Sequence, residues 1–325
     1  MIDLPVVSIV TPSYNQAQFV EGTIRSVLTQ DYAYVEYIIV DGGSTDGSVE
    51  IIRKYEDRLA YWVSEKDKGQ ADAINKGWRR ATGEIIAYLN SDDVYEPGGI
   101  SRVVEYFSQH PTIGVVYGNY HLIDEQGSVR YTNQTGDFDL DQFLLGDYIC
   151  QPTVFLRASV RHQIGELDAT LRCVMDYEYL LRAALEGIQF GKIPGAPLAG
   201  FRTWSGSKSA VKSELDLREE QAMLQRYFDH PKLSPQLRAL RSEALARASI
   251  GVAYGYYLAG DMGQARRFLR EAVAIHQPIV LKRVFWCVYL KTWLGRRLST
   301  WAREMRRGVL QRRARANSPR LNAAQ

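Results

Sequence analysis

Two carboxylates stand side by side at Asp92-Asp93, directly after Asn90-Ser91 and the apolar run from Ile85 to Leu89. The run is long enough for a buried strand and too short for a free-standing helix. Adjacent like charges at the end of a buried strand repel, and desolvating them is costly without a positive partner. A hard divalent cation, Mg²⁺ or Mn²⁺, is the simplest partner, because its ligands are oxygens and it brings diphosphate oxygens with it. The plainer alternative is that Ser91-Asp92-Asp93 caps a following helix or turn.

Three more polar clusters follow apolar runs upstream. Thr11-Pro12-Ser13-Tyr14-Asn15 follows Val6 to Val10, and Asp41-Gly42-Gly43-Ser44-Thr45-Asp46-Gly47-Ser48 follows Tyr37 to Val40. Glu65-Lys66-Asp67-Lys68-Gly69-Gln70 follows Tyr61 to Val63. Helical patterns lie between them, carried by Val20, Ile24, Val27 and Leu28, by Val49, Ile52 and Tyr55, and by Ala71, Ile74, Trp78 and Ala81. This alternation predicts βαβ units and a parallel sheet, whose ligands bind outside the carboxyl ends of the strands. Four polar clusters on one edge favour a nucleotide-type site over four separate caps. Neither a P-loop nor a G-x-G-x-x-G after the first strand is present, which argues against a P-loop ATPase and a dinucleotide oxidoreductase. Asp41 at a strand end suits a hydrogen bond to a base or ribose, and Asp92-Asp93 suits ribose plus metal.

Ser8-Ile9-Val10-Thr11-Pro12-Ser13-Tyr14-Asn15, Val40 to Ser48 and Asn90-Ser91-Asp92-Asp93 resemble, in order and spacing, the successive motifs of family 2 glycosyltransferases. The resemblance covers roughly residues 5 to 210. It implies an α/β fold of the GT-A type (a Rossmann-like nucleotide-diphospho-sugar transferase domain), a nucleotide-sugar donor with a UDP-sugar foremost, and inversion at the anomeric centre. It places Asp41 on the base with Thr11, Pro12, Tyr14, Asn15 and Gly43 nearby. Asp92 falls on the ribose side with Asn90 and Ser91, and Asp93 on the metal. Lys68, Asp72 and Asn75 would face the donor; the alternative for Asp72 and Asn75 is a solvated helix face.

Downstream, Ile113 to Tyr117 and Asn119 to Ile123 read as strands, and Asp124 to Gly127 as a hairpin turn. Ile149 to Leu156 reads as another strand. This mixed half suits an acceptor, with Gln151 either lining the pocket or serving as an ordinary loop amide. Tyr177, Leu180, Leu181, Ala184 and Leu185 make an apolar helical stripe, and Asp176 sits in its first turn, where an acid also complements the helix dipole. Inverting single displacement needs a general base on the acceptor hydroxyl. Related enzymes carry that base before a similar helix, which points to Asp176, with Glu178 as the fallback. Gly200 to Ser209 resembles the loop that closes over the donor. Many members have a His at its centre; Trp204 stands there instead, which leaves Arg202 or Lys208 to neutralise the leaving diphosphate.

The chain has 325 residues with 46% hydrophobic content, enough for one large domain or two ordinary ones. The expected division is a glycosyltransferase domain over 1–212, a helical extension over 213–278 with one tetratricopeptide-like helix pair, and a basic aromatic tail over 279–325. The tail holds 12 Lys and Arg against Glu304 alone, on a body that is net acidic. Phe285, Trp286, Tyr289, Trp293, Leu294, Leu298 and Trp301 interleave with those cations, a pattern for the surface of a membrane rather than for specific nucleic-acid binding. The three cysteines, Cys150, Cys173 and Cys287, form no disulfide or zinc pattern and are expected as buried thiols. The N-terminus lacks the regions of a signal peptide, so the expected location is the cytoplasm, on the inner face of the membrane. The whole reads as an enzyme transferring sugar to a glycan or lipid-linked acceptor, in surface polysaccharide or glycolipid assembly. The rivals are a non-catalytic nucleotide-sugar-binding or membrane scaffold and a sugar nucleotidyltransferase.

Overall fold

The structure, a computed structural model, describes residues 4–207 and 213–293. Its strands are β1 (Val7–Ser13), β2 (Val35–Asp41), β3 (Tyr61–Ser64), β4 (Ile85–Tyr88), β5 (Val94–Tyr95), β6 (Ile113–Gly118), β7 (Tyr120–Ile123), β8 (Val129–Asn133), β9 (Phe155–Arg157), β10 (Gln189–Ile193) and β11 (Ala199–Arg202). Its helices are α1 (Val20–Leu28), α2 (Ser48–Arg53), α3 (Gln70–Arg80), α4 (Gly99–Gln109), α5 (Leu140–Leu144), α6 (Ala158–Ile164), α7 (Met175–Leu185), α8 (Glu214–Phe228), α9 (Pro235–Arg238), α10 (Arg241–Ala259) and α11 (Met262–Ile275).

The main sheet has seven strands in the order β10-β6-β9-β4-β1-β2-β3. The pairs β4-β1, β1-β2 and β2-β3 are parallel, as the alternating pattern predicts. Ile38, Ile39 and Val40 are all buried, as expected for a strand covered on both faces. Helix α3 lies so close to β1 that a Cβ at Gly77 would run into the Val10 side chain; only glycine allows that approach. β9 enters antiparallel between β4 and β6. A second sheet, β5-β11-β7-β8, packs the hairpin β7-β8 beside β11. Asp124 holds the hairpin turn by accepting from Gln126 N and Ser128 N.

Two sequence expectations change here. The run from Ile149 to Leu156 is not one strand: Gln151–Thr153 is a 3₁₀ turn and only Phe155–Arg157 is extended. Pro152 has no N–H for a ladder, and Thr153 folds back on Cys150 O through both its N–H and its hydroxyl. Asn119 separates β6 from β7 instead of joining a strand, its amide fixed to Gly195 O and Thr135 N.

The described chain forms two compact units, one of residues 4–207 with 218–241, the other of 213–217 with 242–293. The expected boundary after residue 212 therefore does not separate them. Residues 218–241 belong with the first unit because Glu219 accepts from Arg172 N and Cys173 N, while Arg226 and Tyr227 reach Glu178. In the second unit, α10 and α11 pair across Gly260 and Asp261, whose carboxylate caps α11 at Gln264 N. Ala246, Ile250, Ala253, Phe268, Leu269 and Ala272 form a core with Ile279, Phe285 and Val288. The apolar face of the helix pair is thus covered within its own unit. Among the described residues no helix is long and apolar enough to cross a membrane.

Candidate active site

The ends of β1, β2 and β4 lie on one edge of the sheet because parallel strands point the same way. At β4 the chain leaves the sheet through Asn90 to Asp93, and the two carboxylates diverge. Asp93 is 1% exposed. Its Oδ1 accepts from Arg202 N at 2.8 Å and its Oδ2 from Asn90 Nδ2 at 3.3 Å. Thr23 Oγ1 donates to its backbone carbonyl at 2.7 Å. Burial and the charge of Asp92 push the Asp93 carboxyl well above the usual carboxylate range, against the hydrogen bonds from Arg202 and Asn90. The residue expected to bind metal is therefore an internal anchor joining β4 to β11. Asp92 is the more open of the pair, and Trp204 Nε1 donates to its Oδ2 at 2.9 Å.

Arg202 does not project toward a diphosphate. Its Nε donates to Asp92 O at 2.7 Å, its Nη1 to Asp124 O and Glu125 O, and its guanidinium lies 4.9 Å from the Phe19 ring centre. Burial holds its pKa below the ordinary value, opposed by Asp93 and Asp92. The guanidinium thus staples the turn and supplies the positive charge beside the acidic pair. Trp204 packs edge-on to Phe19 with ring centres 5.1 Å apart. Lys208 lies outside the described residues.

The residues expected around the nucleotide lie at the ends of β1 and β2. Asp41 is fully buried; its Oδ2 accepts from Gly43 N, Ser44 N and Ser64 Oγ, and its Oδ1 from Ser44 Oγ. It shapes the loop instead of facing a base. Thr11 is also internal, sharing a 3.0 Å hydrogen bond with Tyr37 Oη, and Pro12 is buried beside it. Asn15 takes a left-handed φ of +50°, which Asn tolerates, and its side chain accepts from Thr45 N while its own N–H donates to Ser44 Oγ. Tyr14, by contrast, is 62% exposed. Next to it, a Cβ at Gly42 would lie 2.6 Å from Asp67 Oδ2, so the Asp67 carboxylate fills the space that glycine leaves. The acidic and basic run Glu65 to Lys68 signalled that position, but nothing in it singled out Asp67.

On α3, Asp72 accepts from Lys68 N in the loop ahead of the helix and lies 3.7 Å from Lys76 Nζ. Lys68 itself is exposed. Asn75 does not face a donor: it is buried, and its amide donates to Leu167 O and accepts from Leu167 N. A buried amide must pair both ends, and this one pairs them with a loop.

A relay of amides leads from the Asp92 motif toward α7. Gln70 Nε2 donates to Asn90 Oδ1 at 2.6 Å, Asn90 Nδ2 to Gln151 Oε1 at 3.3 Å, and Gln151 Nε2 to Tyr88 O at 2.9 Å. Ser91, within the turn, is buried. Gln151 and Asp176 line one cavity together with Trp78, Tyr88, Leu156 and Leu180. Asp176, in the first turn of α7, is half-buried. Glu178 is removed as an alternative base: it is 2% exposed and accepts from Arg182, Arg226 and Tyr227. Among the described residues no group of three or more His, Cys, Asp or Glu is placed to hold a metal. Asp92, a partly exposed carboxylate, still fits Mg²⁺ or Mn²⁺, since such ions are held through one or two carboxylates plus substrate phosphates and keep several waters.

The cysteines differ from the buried set expected. Cys173 and Cys287 are exposed, and Cys150 is half-buried. Burial and the nearby Asp93, Asp147 and Asp176 push the Cys150 thiol well up. At pH 8 a chromogenic disulfide reagent is expected to react with two thiols promptly and with Cys150 more slowly, because thiolate is the reacting form.

The family model Glycosyl transferase family 2 matches residues 8–163. An uncharacterised glycosyltransferase of Mycobacterium tuberculosis is 32% identical over 188 residues, covering 57% of this chain and 71% of the relative. A PGL/p-HBAD biosynthesis glycosyltransferase of Mycobacterium bovis is 30% identical over 211 residues, covering 64% and 80%. The crystal structure of Staphylococcus aureus TarS 1–349 in complex with UDP-GlcNAc superposes with a TM-score of 0.61 at 17% identity, over 83% of this chain and 81% of that one. The mannosyltransferase PcManGT from Pyrobaculum calidifontis in complex with GDP-Man and Mn²⁺ gives a TM-score of 0.55 at 19% identity, over 90% and 88%. The parallel strands with their polar ends, the acidic turn after β4 and the relatives agree: the chain belongs to glycosyltransferase family 2 and is a glycosyltransferase of the GT-A fold.

Proposed function

We propose that the protein transfers a sugar from a nucleotide-diphosphate donor, a UDP-sugar first, to a hydroxyl of a glycan or lipid-linked acceptor, with inversion. The observation that carries this reading is the relay Asn90–Gln151, which ties the Asp92 turn to the cavity that Asp176 lines. It sets a half-buried carboxylate across from the acidic turn, as a single displacement requires of a base and a leaving group. Tyr14 offers an exposed ring for the base, and Asp67 beside Gly42 an acceptor for its N–H. Asp92 is the carboxylate for Mg²⁺ or Mn²⁺, with Asp93 and Arg202 holding the turn in place. When bound, the ion would offset charge on the departing diphosphate. Asp176 takes the proton of the acceptor hydroxyl.

A thermal-shift panel of UDP-, GDP-, dTDP- and CMP-linked sugars, each with and without Mn²⁺, tests the donor. Ligand bound only by the folded state raises apparent stability by RT ln(1 + [L]/Kd), about 2.7 kcal/mol at a hundredfold excess over Kd. A Mn²⁺-dependent rise with one nucleotide class supports the reading. No rise with any of them overturns it.

The same proposal places the protein at the cytoplasmic membrane face, next to a lipid-linked acceptor. Residues 283–293 are helical, with Trp286, Leu290 and Trp293 exposed at helical spacing beside Lys282, Arg283 and Lys291. Trp293 is 62% exposed. Aromatic anchors with flanking cations suit an anionic interface. Full-length protein is expected to co-sediment with vesicles containing phosphatidylglycerol, and Trp286→Glu with Leu290→Glu to weaken that association roughly tenfold. Equal sedimentation of the double variant would remove this helix from the account.

A further inference from the structure

Asp176 is the second residue of α7, and that helix has no side-chain cap of its own: Val174 stands at the N-cap position and makes no side-chain hydrogen bond. The first turn of an uncapped helix frays, because its leading N–H groups have no partner within the helix. A base in a fraying turn keeps no fixed distance to an acceptor hydroxyl. Here the chain is held from outside the helix. Glu219 on α8 accepts from Arg172 N and, at 3.0 Å, from Cys173 N, just ahead of α7. Further along α8, Arg226 Nη2 and Tyr227 Oη donate to Glu178 Oε1, just after Asp176. Glu219 and Arg226 stand about two helical turns apart, so they share one face of α8. Asp176 thus lies between two points at which α8 grips the chain. Asn75 holds the start of the same loop by pairing with Leu167 through both ends of its amide.

The two grips differ in what they explain. Glu178 is 2% exposed, and a buried carboxylate needs partners on charge grounds alone, so Arg182, Arg226 and Tyr227 answer a demand of folding. Glu219 answers no such demand. Its side chain is half-buried, and the N–H groups it takes belong to the exposed residues Arg172 and Cys173, where water could serve both sides. What the contact fixes is the direction in which the chain enters α7. A carboxylate on two successive N–H groups makes charge-assisted hydrogen bonds and complements the positive end of the helix. We propose that Glu219 is a positioning residue for Asp176: it clasps the backbone ahead of α7 and so sets where the Asp176 carboxylate stands. The inference rests on the reading of Asp176 as the base. It makes α8, which the sequence assigned to the helical extension, a part of the transfer machinery.

A double-mutant cycle in the full-length chain tests this, with Glu219→Ala, Asp176→Asn and the pair. Turnover is read as nucleotide released from the sugar nucleotide that gives the largest thermal shift, with Mn²⁺ present and water as the acceptor. Glu219→Ala is expected to lower kcat roughly 10–100-fold, as a misplaced catalytic group does, with KM for the donor within about twofold of wild type. Glu219→Gln, whose carbonyl oxygen can still accept from the loop, is expected to recover kcat to within about threefold. In the Asp176→Asn background, Glu219→Ala is expected to cost no more than about twofold further, since there is no base left to misplace. Hydrogen exchange supplies the reading that needs no turnover: the amides of residues 172–178 are expected to exchange about tenfold faster in Glu219→Ala, and those of β1 and β4 at the wild-type rate. Faster exchange throughout the chain would mean a general loss of stability and overturns the inference. So does a Glu219→Ala protein that keeps its kcat while Asp176→Asn loses it, or one whose loss is as large in the Asp176→Asn background; each leaves the base in place. An Asp176→Asn protein that turns over like wild type overturns the base and the inference together.

Discussion

Asp176→Asn is expected to lower the transfer rate about a thousandfold while donor affinity stays within a few-fold of wild type. General-base catalysis contributes roughly 10²–10⁴-fold. The amide keeps the shape of the carboxylate and its place in the first turn of α7, but it cannot take a proton from an acceptor hydroxyl. The measurement is kcat for transfer beside the Kd of the donor from calorimetry. A variant that transfers sugar as fast as wild type would remove Asp176 from the chemistry. No comparable loss is expected from Glu178, since its carboxylate is taken up by Arg182, Arg226 and Tyr227.

The second large effect separates the two adjacent aspartates. Asp92→Asn is expected to weaken Mn²⁺-dependent nucleotide binding by at least tenfold and to leave the melting temperature of the ligand-free protein within a few degrees. Asp93→Ala is expected to do the reverse first. It strips the acceptors of Arg202 N and Asn90 Nδ2 inside the protein, and a buried donor left unpaired costs about 1–3 kcal/mol. A loss of about 3 kcal/mol corresponds to roughly 6–12 °C for a domain of this size. Thermal melting with and without Mn²⁺ and nucleotide reads both variants. An Asp92→Asn protein that keeps its Mn²⁺-dependent shift would return the metal to Asp93.

The fold was legible where pattern and chemistry coincide. Val7–Ser13, Val35–Asp41, Tyr61–Ser64 and Ile85–Tyr88 alternate with helices, and each is followed by polar residues at the same sheet edge. What sequence could not separate was a polar side chain that faces a ligand from one that anchors a loop. Thr11, Asp41 and Asn75 have the right types at the right places, yet each spends its hydrogen bonds inside the chain. Which of Asp92 and Asp93 turns inward depends on how the chain leaves β4 and on β11, which lies more than a hundred residues away in sequence. The antiparallel strand β9 was hidden by Pro152, whose 3₁₀ turn shortens an apolar run that looked like a longer strand.

That inserted strand also sets an order of assembly. β1 to β4 pair through successive βα units, all within the first 88 residues. β9 must return across more than sixty residues to lie between β4 and β6. Contacts so distant along the chain close slowly, because the loop entropy is spent before the pairing is gained. On a ribosome, where the N-terminal part emerges first, β1 to β4 are made before the turn that brings Gln151 and the helix that carries Asp176. The half that carries the acidic turn after β4 is therefore built early, and the half that carries Gln151 and Asp176 is completed only when β9 is locked into the sheet.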